Sequence, residues 1–424
     1  MRQLTKEDSL PITILNYINL LSAILLTASL PLFMRYQRSF LYIFFVTYIL
    51  EFFFQKKWQN LRTDKLKWVF IAFLVFFLLI PLYQLFESNH DYAGKIMQTR
   101  LPFLAFGLIG LFGFNKLYKL HYFAVTILVS SFLIFCYLFF YKVGVSDIFF
   151  SSSSEMEDPL SLARKTFINN HMAVNFYLNS ALIFLFYLLN RKSVRKLDFC
   201  FKIAYFIIGL SVVALLLFPY EGRMGFLTAI IIISIMILYK VWKWKRFVAI
   251  LLSFVVGFAA FLLIVEHPRM NQQQFENNPR LVLWNISTDM IAKKPIFGYG
   301  SSTAADIFIT KCTKSPQVKA TQDELLLRVI AEKNIVGAHP HNQYLQTTME
   351  FGMIGLFLLL FFHIYPIFVV CEKRRIYVFL FLFISALQAT TDVYGCGYYP
   401  LMFVMILTLL LVSEDKKKSE LEQL

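Results

Sequence analysis

Uninterrupted apolar stretches recur along most of this chain, in which 58% of the 424 residues are hydrophobic and 48 are phenylalanine. A stretch of about 20 apolar residues crosses the hydrocarbon core of a bilayer as a helix, since each residue rises about 1.5 Å. In lipid every backbone amide must bond within its own segment, which favours helices. Transmembrane β-strands alternate in polarity over about ten residues, and these stretches do not alternate. We therefore predict an all-α polytopic membrane protein.

The length of these stretches predicts about twelve transmembrane helices. Their expected ranges are 10–33, 39–54, 68–86, 101–114, 121–142, 172–190, 198–219, 225–240, 246–266, 349–371, 376–391 and 397–413. The fourth is short and contains Pro102. The first exceeds the apolar core of a signal peptide and has no small-residue cleavage site after it, so we expect it to be retained. The expected divisions are membrane helices over 1–265, a large loop over 266–346, membrane helices over 347–413 and a charged tail over 414–424.

The formal net charge of +15 follows the expected topology of the chain rather than a nucleic-acid surface. With the N-terminus inside, the short inner loops hold about 18 lysines and arginines and the short outer loops about 8. Reversing the orientation would reverse this bias. We therefore expect both termini in the cytoplasm, the 266–346 loop outside, and membrane lipid rather than nucleic acid as a partner.

The 266–346 loop is far longer than an ordinary connection, and loops of this length are usually functional. Apolar residues at helical spacing predict one helix over 281–294 and another over 322–334. A third is expected to begin near Pro340, since proline suits the first turn of a helix, and to run into the membrane. Cys312 in this loop and Cys396 both fall on the outer side, where they would form a disulfide if they meet.

The motif His339-Pro340-His341-Asn342 lies where the loop returns to the membrane. An imidazole titrates near pH 6.5 and suits proton transfer at neutral pH, so His341 is a candidate general base. The alternative is an interfacial histidine that only bonds to backbone. Two histidines could also ligate a metal, but the neighbouring sequence offers no suitable third ligand, and we predict no metal. Asp392, at the outer end of the eleventh span, could orient His341 or pair with an arginine.

Four arginines lie on the expected outer side, where the charge bias disfavours them: Arg100, Arg164, Arg223 and Arg280. A planar guanidinium binds phosphate oxygens through two parallel hydrogen bonds, so several converging arginines would suit a lipid-linked diphosphate. The alternative for each is a side chain that extends to lipid headgroups or pairs with a nearby acid. The chain has no P-loop, G-x-G-x-x-G or G-x-S-x-G pattern and no acid-rich outer loop. We therefore expect chemistry that needs no nucleotide, cofactor or divalent ion.

The apolar architecture and the late outer loop together resemble the superfamily of bacterial O-antigen ligases and O-antigen polymerases. These are polytopic inner-membrane glycosyltransferases with a large periplasmic loop late in the chain. The loop signature of the superfamily is a His-Asn or His-Ser pair, nine residues, and then Gly-x-x-Gly-Leu. His341-Asn342 and the sequence Gly-Met-Ile-Gly-Leu over 352–356 are similar to it in type and in spacing.

Two further motifs of the superfamily, Arg-x-x-x-Trp and Pro-x-x-Gly-x-Gly, are similar to the sequences over 280–284 and 295–300. Arg223 stands where the superfamily has an outer Ser-Arg-Gly, although Gly222 replaces the serine. Asp392 is similar to an acid that follows the large loop. The combined pattern points to the superfamily more firmly than to any one of its subfamilies.

The resemblance implies a GT-C-like, metal-independent transferase that moves a glycan from undecaprenyl diphosphate to a sugar hydroxyl of lipid A–core. His341 would be the general base for the acceptor hydroxyl, and Arg223 and Arg280 would hold the diphosphate and stabilise the charge on the leaving group. Substrate-binding roles are expected for Arg100, Arg164, His339, Asn342 and Asp392. Attack opposite to the leaving group would invert the anomeric centre.

Other functions remain open for this sequence. An O-antigen or capsule polymerase, which joins two undecaprenyl diphosphate-linked glycans, would use the same donor chemistry. Ligases that glycosylate protein tend to be longer, with an added C-terminal region. A polysaccharide transporter or flippase would be expected to show inverted repeats and charges at mid-bilayer. No repeat is visible here and the charges lie mostly at the expected outer edge, which favours an enzyme.

Overall fold

The computed structural model describes residues 10–32, 34–87, 90, 92–137, 171–191, 196–217, 223–248, 250, 253, 279–316, 318, 339–393 and 399–412. The helices with assigned bounds in these ranges are α1 Leu10–Ser29, α2 Met34–Phe54, α3 Lys67–Gln84, α4 Ala93–Phe112, α5 Leu120–Cys136, α6 His171–Asn190, α7 Lys196–Leu217, α8 Arg223–Trp244, α9 Pro279–Lys293, α10 Ser301–Lys314, α11 Gln343–Val369, α12 Glu372–Thr391 and α13 Tyr399–Val412. A short 3-10 helix, Lys57–Gln59, follows α2. The prediction of an all-α fold is confirmed.

Among the described residues, seven helices are long and apolar enough to cross a membrane. They are α1, α3 and α11, together with most of α2, α6, α7 and α8. The helices α5 and α13 are apolar but shorter. Many large apolar side chains on these helices are exposed, including Leu21, Phe53, Phe206 and Phe357. Such a surface suits contact with lipid and not with water, so the prediction of a membrane protein is confirmed.

The boundaries differ from the expected ones at two instructive places. The fourth span was expected to begin at residue 101, but α4 begins at Ala93 and holds Pro102 in its interior. In the large loop, α9 corresponds to the helix expected over 281–294, whereas α10 was not expected. The helix expected over 322–334, most of the ninth span and the outer segment 143–170 lie outside the described residues.

Close helix packing places α11 against both the N-terminal and the C-terminal parts of the bundle. The helices α3 and α4 approach closely because Gly107 and Gly110 leave room for side chains of α3. On the other side of α4 lies α13, whose residues are almost all buried. The ring of Phe362 in α11 contacts Phe73 of α3 and Phe403 of α13. This aromatic core fixes α11, and therefore the residues that precede it, relative to the membrane helices.

A sharp break in α11 receives a segment of the large loop. Gly352 has φ +60° and ψ −153°, which interrupts the helix, and a side chain there would overlap the carbonyl oxygen of Ile296. Three backbone hydrogen bonds then join the loop to the break: Tyr299 N–H to Met349 O (3.0 Å), Gly300 N–H to Glu350 O (2.8 Å) and Met353 N–H to Pro295 O (2.9 Å). The two glycine-containing motifs of the sequence therefore meet as complementary backbone surfaces.

Candidate functional site

Three titratable side chains from two regions of the chain, the segment before α11 and the end of α12, lie close together. The Nδ1 atom of His341 lies 3.7 Å from Oδ1 of Asp392, a residue that directly follows α12. The rings of His339 and His341 are 4.3 Å apart between centroids. Side-chain nitrogen and oxygen atoms of all three residues lie within 4.8 Å of one another. We call these three residues the His341 cluster.

The backbone before α11 adopts an unusual conformation that holds His341 in the cluster. His341 has φ +49°, in the left-handed region, and its N–H donates to Nδ1 of His339 at 3.2 Å. The side chain of Asn342 caps α11 by accepting from Leu345 N–H at 3.0 Å, and its amide donates to the carbonyl of Thr390 at 3.3 Å. Both ends of the Asn342 amide are therefore engaged within the protein, and its expected role in substrate binding stays a prediction.

The first loop helix, α9, is bound directly to the His-Pro-His segment. The indole N–H of Trp284 donates to the carbonyl of Pro340 at 2.9 Å. Arg280 lies four residues before Trp284, which places the two on the same side of α9. The positive charge of Arg280 is close enough to contribute to lowering the pKa of His339. The start of α9 thus lies beside the His341 cluster, and the expected role of Arg280 at the diphosphate stays a prediction.

The electrostatics of the cluster favour an ionised aspartate beside a neutral His339. Burial lowers the pKa of His339 to about 3, with His341 and Arg280 acting in the same direction and Asp392 opposing them. Burial alone would raise the pKa of Asp392, but its contacts with His341, His339 and Tyr399 outweigh burial and lower it. Asp392 is therefore a carboxylate at neutral pH. His339, which accepts a hydrogen bond at Nδ1, carries its proton on Nε2.

Asp392 changes the set of possible metal ligands around the two histidines. No third ligand was expected near the two histidines, but Asp392 supplies a carboxylate and completes a set of three possible ligands. In this arrangement the lone pair on Nδ1 of His339 is engaged by the backbone N–H of His341. The 4.8 Å spread also exceeds the spacing of about 3.3 Å between ligands that are 2.0–2.1 Å from a tetrahedral zinc ion. The expectation that the site holds no metal therefore stays a prediction.

Arg100 occupies a different environment from the outer loop end that the sequence suggested. Because α4 begins at Ala93, Arg100 lies within the helix, and its side chain is completely buried. Its Nη2 atom donates to both carboxylate oxygens of Glu350, at 2.8 and 2.6 Å. Gln346 donates to the same carboxylate at 2.7 Å. The expectation of an arginine at the end of a loop is therefore wrong, since the helix extends further than the apolar run.

The remaining expected site residues are described incompletely. Arg223 is the first residue of α8, and its side chain lies outside what the structure describes, as does all of Arg164. The carbonyl of Gly225 in the same turn of α8 accepts from Asn179 Nδ2 at 3.1 Å. In α6, the ring of Phe176 contacts that of Tyr399, which lies against Asp392. The backbone at the start of α8 is thus at the same end of the bundle as the His341 cluster.

Glu87 contributes to the loop attachment and was not singled out from the sequence. Its Oε2 atom accepts from Ser302 N–H at 3.1 Å, in the first turn of α10, and from Gln84 Nε2 at 2.8 Å. Burial raises the pKa of Glu87 although these hydrogen bonds oppose the shift. The available signal in the sequence was an acid directly after the expected span 68–86. In the same loop Cys312 is a buried free thiol, and Cys396 lies outside the described residues.

Comparison with known proteins agrees with these motifs. Residues 206–360 match the family model described as O-antigen ligase, and this stretch contains Arg223, Arg280 and His341. Proteins named as candidate polysaccharide ligases from Rickettsia conorii and Rickettsia felis are each 30% identical to this chain over 133 residues. The aligned segment spans 30% of this chain and 30% of the length of each relative. The resemblance to the O-antigen ligase superfamily is confirmed.

Proposed function

We propose that this protein is a membrane glycosyltransferase of the O-antigen ligase type, which transfers a glycan from undecaprenyl diphosphate to a sugar hydroxyl of lipid A–core. The observation that carries the proposal is the His341 cluster with Arg280 at its edge, at the point where the large loop meets α11. The match of residues 206–360 to the O-antigen ligase family supports the same chemistry.

His341 is the general base in this proposal. The Asp392 carboxylate faces Nδ1 of His341, favours the tautomer with a proton on Nδ1, and so leaves the lone pair of Nε2 for the acceptor hydroxyl. The 3.7 Å between Nδ1 of His341 and Oδ1 of Asp392 is too long for a hydrogen bond. As His341 accepts the proton and becomes a cation, attraction to Asp392 shortens this contact. Such base catalysis contributes a factor of about 10² to 10⁴ to the rate.

The arginines act on the leaving group. The acceptor oxygen forms a new bond to the anomeric carbon while the bond from that carbon to the diphosphate oxygen breaks. The proton moves to His341, and undecaprenyl diphosphate leaves with the electron pair. Guanidinium groups of Arg280 and Arg223 stabilise the negative charge that grows on the diphosphate. No nucleotide is consumed because the donor already carries a good leaving group, and attack from the opposite side inverts the anomeric centre.

The proposed place of this reaction is the outer face of a bacterial inner membrane. The excess of lysine and arginine in the short loops expected inside supports an orientation with both termini in the cytoplasm and the 266–346 loop in the periplasm. Single cysteines placed in that loop, in a background without native cysteines, should react with an impermeant maleimide in whole cells whose outer membrane is permeabilised. Labelling only after the inner membrane is broken would contradict this orientation.

The function is tested with purified full-length protein in proteoliposomes that contain undecaprenyl diphosphate-linked glycan and lipid A–core. We expect glycan on the core with the wild type and none with His341→Ala, which should reach the same folded yield. His121→Ala is the matched control, because His121 lies at the start of α5, far from the cluster along the chain. Longer carrier-linked glycan formed without any acceptor would instead identify a polymerase, and movement of intact donor between leaflets a transporter.

A further inference from the structure

We propose that Arg100 and Glu350 form a positioning pair, which holds the large loop and His341 in place relative to α4. We also propose that Arg100 does not bind the diphosphate. This inference rests on the proposed function for its kinetic aspect only. Its structural aspect concerns how the loop is held to the bundle, which is measured without any transfer reaction.

The described residues around Arg100 enclose its guanidinium and already supply it with an anion. The side chain is completely buried, and that of Glu350 is almost completely buried. Phe76 and Phe351 flank the guanidinium, each with its ring centroid 5.6 Å from the central carbon. Glu350 already supplies an anion at hydrogen-bonding distance. A phosphate would have to displace this carboxylate and push both aromatic rings aside, so the site is built for an internal partner.

Glu350 links two elements of the proposed catalytic machinery. Its side chain binds Arg100 of α4, while its backbone carbonyl accepts from Gly300 N–H in the loop. It lies in the short first segment of α11, between the Asn342 cap and the break at Gly352. His341 precedes that cap directly, so any rotation of this segment moves His341. The pair therefore ties the loop and the base to the same point on α4.

The geometry of the pair separates it from a phosphate-binding arginine. A single nitrogen of Arg100, Nη2, reaches both oxygens of Glu350, so the fork of the guanidinium is not needed for this contact. A lysine at position 100 can place one ammonium nitrogen between the same two oxygens. An arginine that holds a diphosphate uses its planar fork, and lysine replaces it poorly. Arg100→Lys and Arg280→Lys are therefore a matched pair of substitutions with opposite expected results.

The experiment measures transfer and loop attachment in the same proteoliposomes. We expect Arg100→Lys to keep transfer within about threefold of wild type. We expect Arg100→Ala and Glu350→Gln each to lower kcat about 100-fold with little change in the donor KM, because a displacement of about 1 Å costs this much. The double variant should be no worse than either single one, since both remove the same contact. In the Ala and Gln variants, added protease should cut the 266–346 loop faster than in wild type.

Glu51→Gln provides the control for general damage, because Glu51 is a buried carboxylate paired with Lys57. It should lower thermal stability without changing kcat or loop cleavage. If Arg100→Ala and Arg100→Lys both raise the donor KM while Glu350→Gln transfers normally and the loop stays protected, Arg100 is a diphosphate ligand and the proposal is overturned. Should wild type show no transfer at all, the proposed function fails, and loop cleavage alone still decides whether the pair holds the loop.

Discussion

Two buried acids in different parts of the bundle, Glu51 of α2 and Asp392 after α12, illustrate how differently this protein uses a charge. Near the C-terminal end of α4, Glu51 accepts from Lys57 at 2.7 Å and from Asn115 at 2.7 Å, so both of its oxygens have partners. Directly after α12, Asp392 lies 3.7 Å from His341, whose side chain remains 32% exposed. The first arrangement is complete without any ligand. The second leaves a titratable group facing solvent and available to a substrate.

The difference indicates which of the two acids stabilises the fold and which can support a reaction. A buried charge that lacks a partner is costly, so a carboxylate with every oxygen satisfied serves stability. A general base needs an accessible lone pair and a partner that responds when it gains a proton. Only the His341 cluster, among these two sites, meets that requirement.

Removal of the His341 side chain should affect the transfer rate, whereas removal of the Glu51 carboxylate should affect stability. His341→Ala should lower the transfer rate by about 10² to 10⁴-fold while thermal unfolding in detergent changes little, because the side chain is partly exposed. Glu51→Ala should lower the free energy of unfolding by about 3–5 kcal/mol, since it leaves Lys57 buried without its anion, and should keep the rate per folded molecule. A rate loss in Glu51→Ala as large as that in His341→Ala would remove the distinction.

The break in α11 should be sensitive to a single methyl group. Gly352→Ala forces a side chain into a backbone conformation with φ +60° and against the carbonyl of Ile296, so we expect a loss of about 2–4 kcal/mol and transfer reduced about 10- to 100-fold. Gly94→Ala is the control, because Gly94 is helical and nothing lies within 4 Å of the added atom. It should change stability by less than about 1 kcal/mol. Equal effects of the two substitutions would show that the loop does not depend on this break.

The membrane architecture and the residues before α11 could be predicted from the sequence because they depend on local patterns. Apolar run length predicts spanning helices, whereas the positive φ of Gly352 and the break that it makes in α11 were not predicted. The helix α10 was also readable in principle, since Ala304, Phe308 and Cys312 recur at helical spacing and are all buried. It was missed because the surrounding residues are polar.

Contacts between distant regions of the chain could not be predicted in the same way. Arg100 and Glu350 are 250 positions apart, and each looks like an ordinary charged residue at a membrane edge. The approach of Asp392 to the two histidines depends on the packing of α12 against α11. Such pairings follow from tertiary structure, and one sequence carries no periodicity that reveals them. The residue types at the candidate site were therefore predictable, and Asp392 was one expected partner of His341, whereas the pairing of Arg100 with Glu350 was not expected.

Asp392→Asn should give a smaller loss than removal of His341. The amide has nearly the same shape but cannot favour a positive charge on His341, so we expect the transfer rate to fall about 10- to 100-fold at neutral pH. The folded yield should remain, since Asn can still accept from Val393 N–H as Asp392 does at 2.8 Å. Rates are measured under saturating donor and acceptor. A variant with the wild-type rate would show that the carboxylate does not support the base.

The smallest expected effect concerns His339 and the pH dependence of stability. The pKa of His339 is lowered to about 3 in the folded protein, below the value of about 6.5 in an unfolded chain. The unfolded state therefore binds more protons between these values, so the neutral His339 contributes stability that is complete above pH 6.5 and is lost as the pH falls toward 3. Because the ring is partly exposed, we expect a loss of about 1 kcal/mol between pH 7 and pH 5. His339→Gln should flatten the pH dependence of the thermal unfolding midpoint over that interval. If the midpoint of His339→Gln depends on pH as strongly as that of wild type, His339 does not titrate with a lowered pKa. The His341 cluster would then be more open to solvent than its geometry indicates.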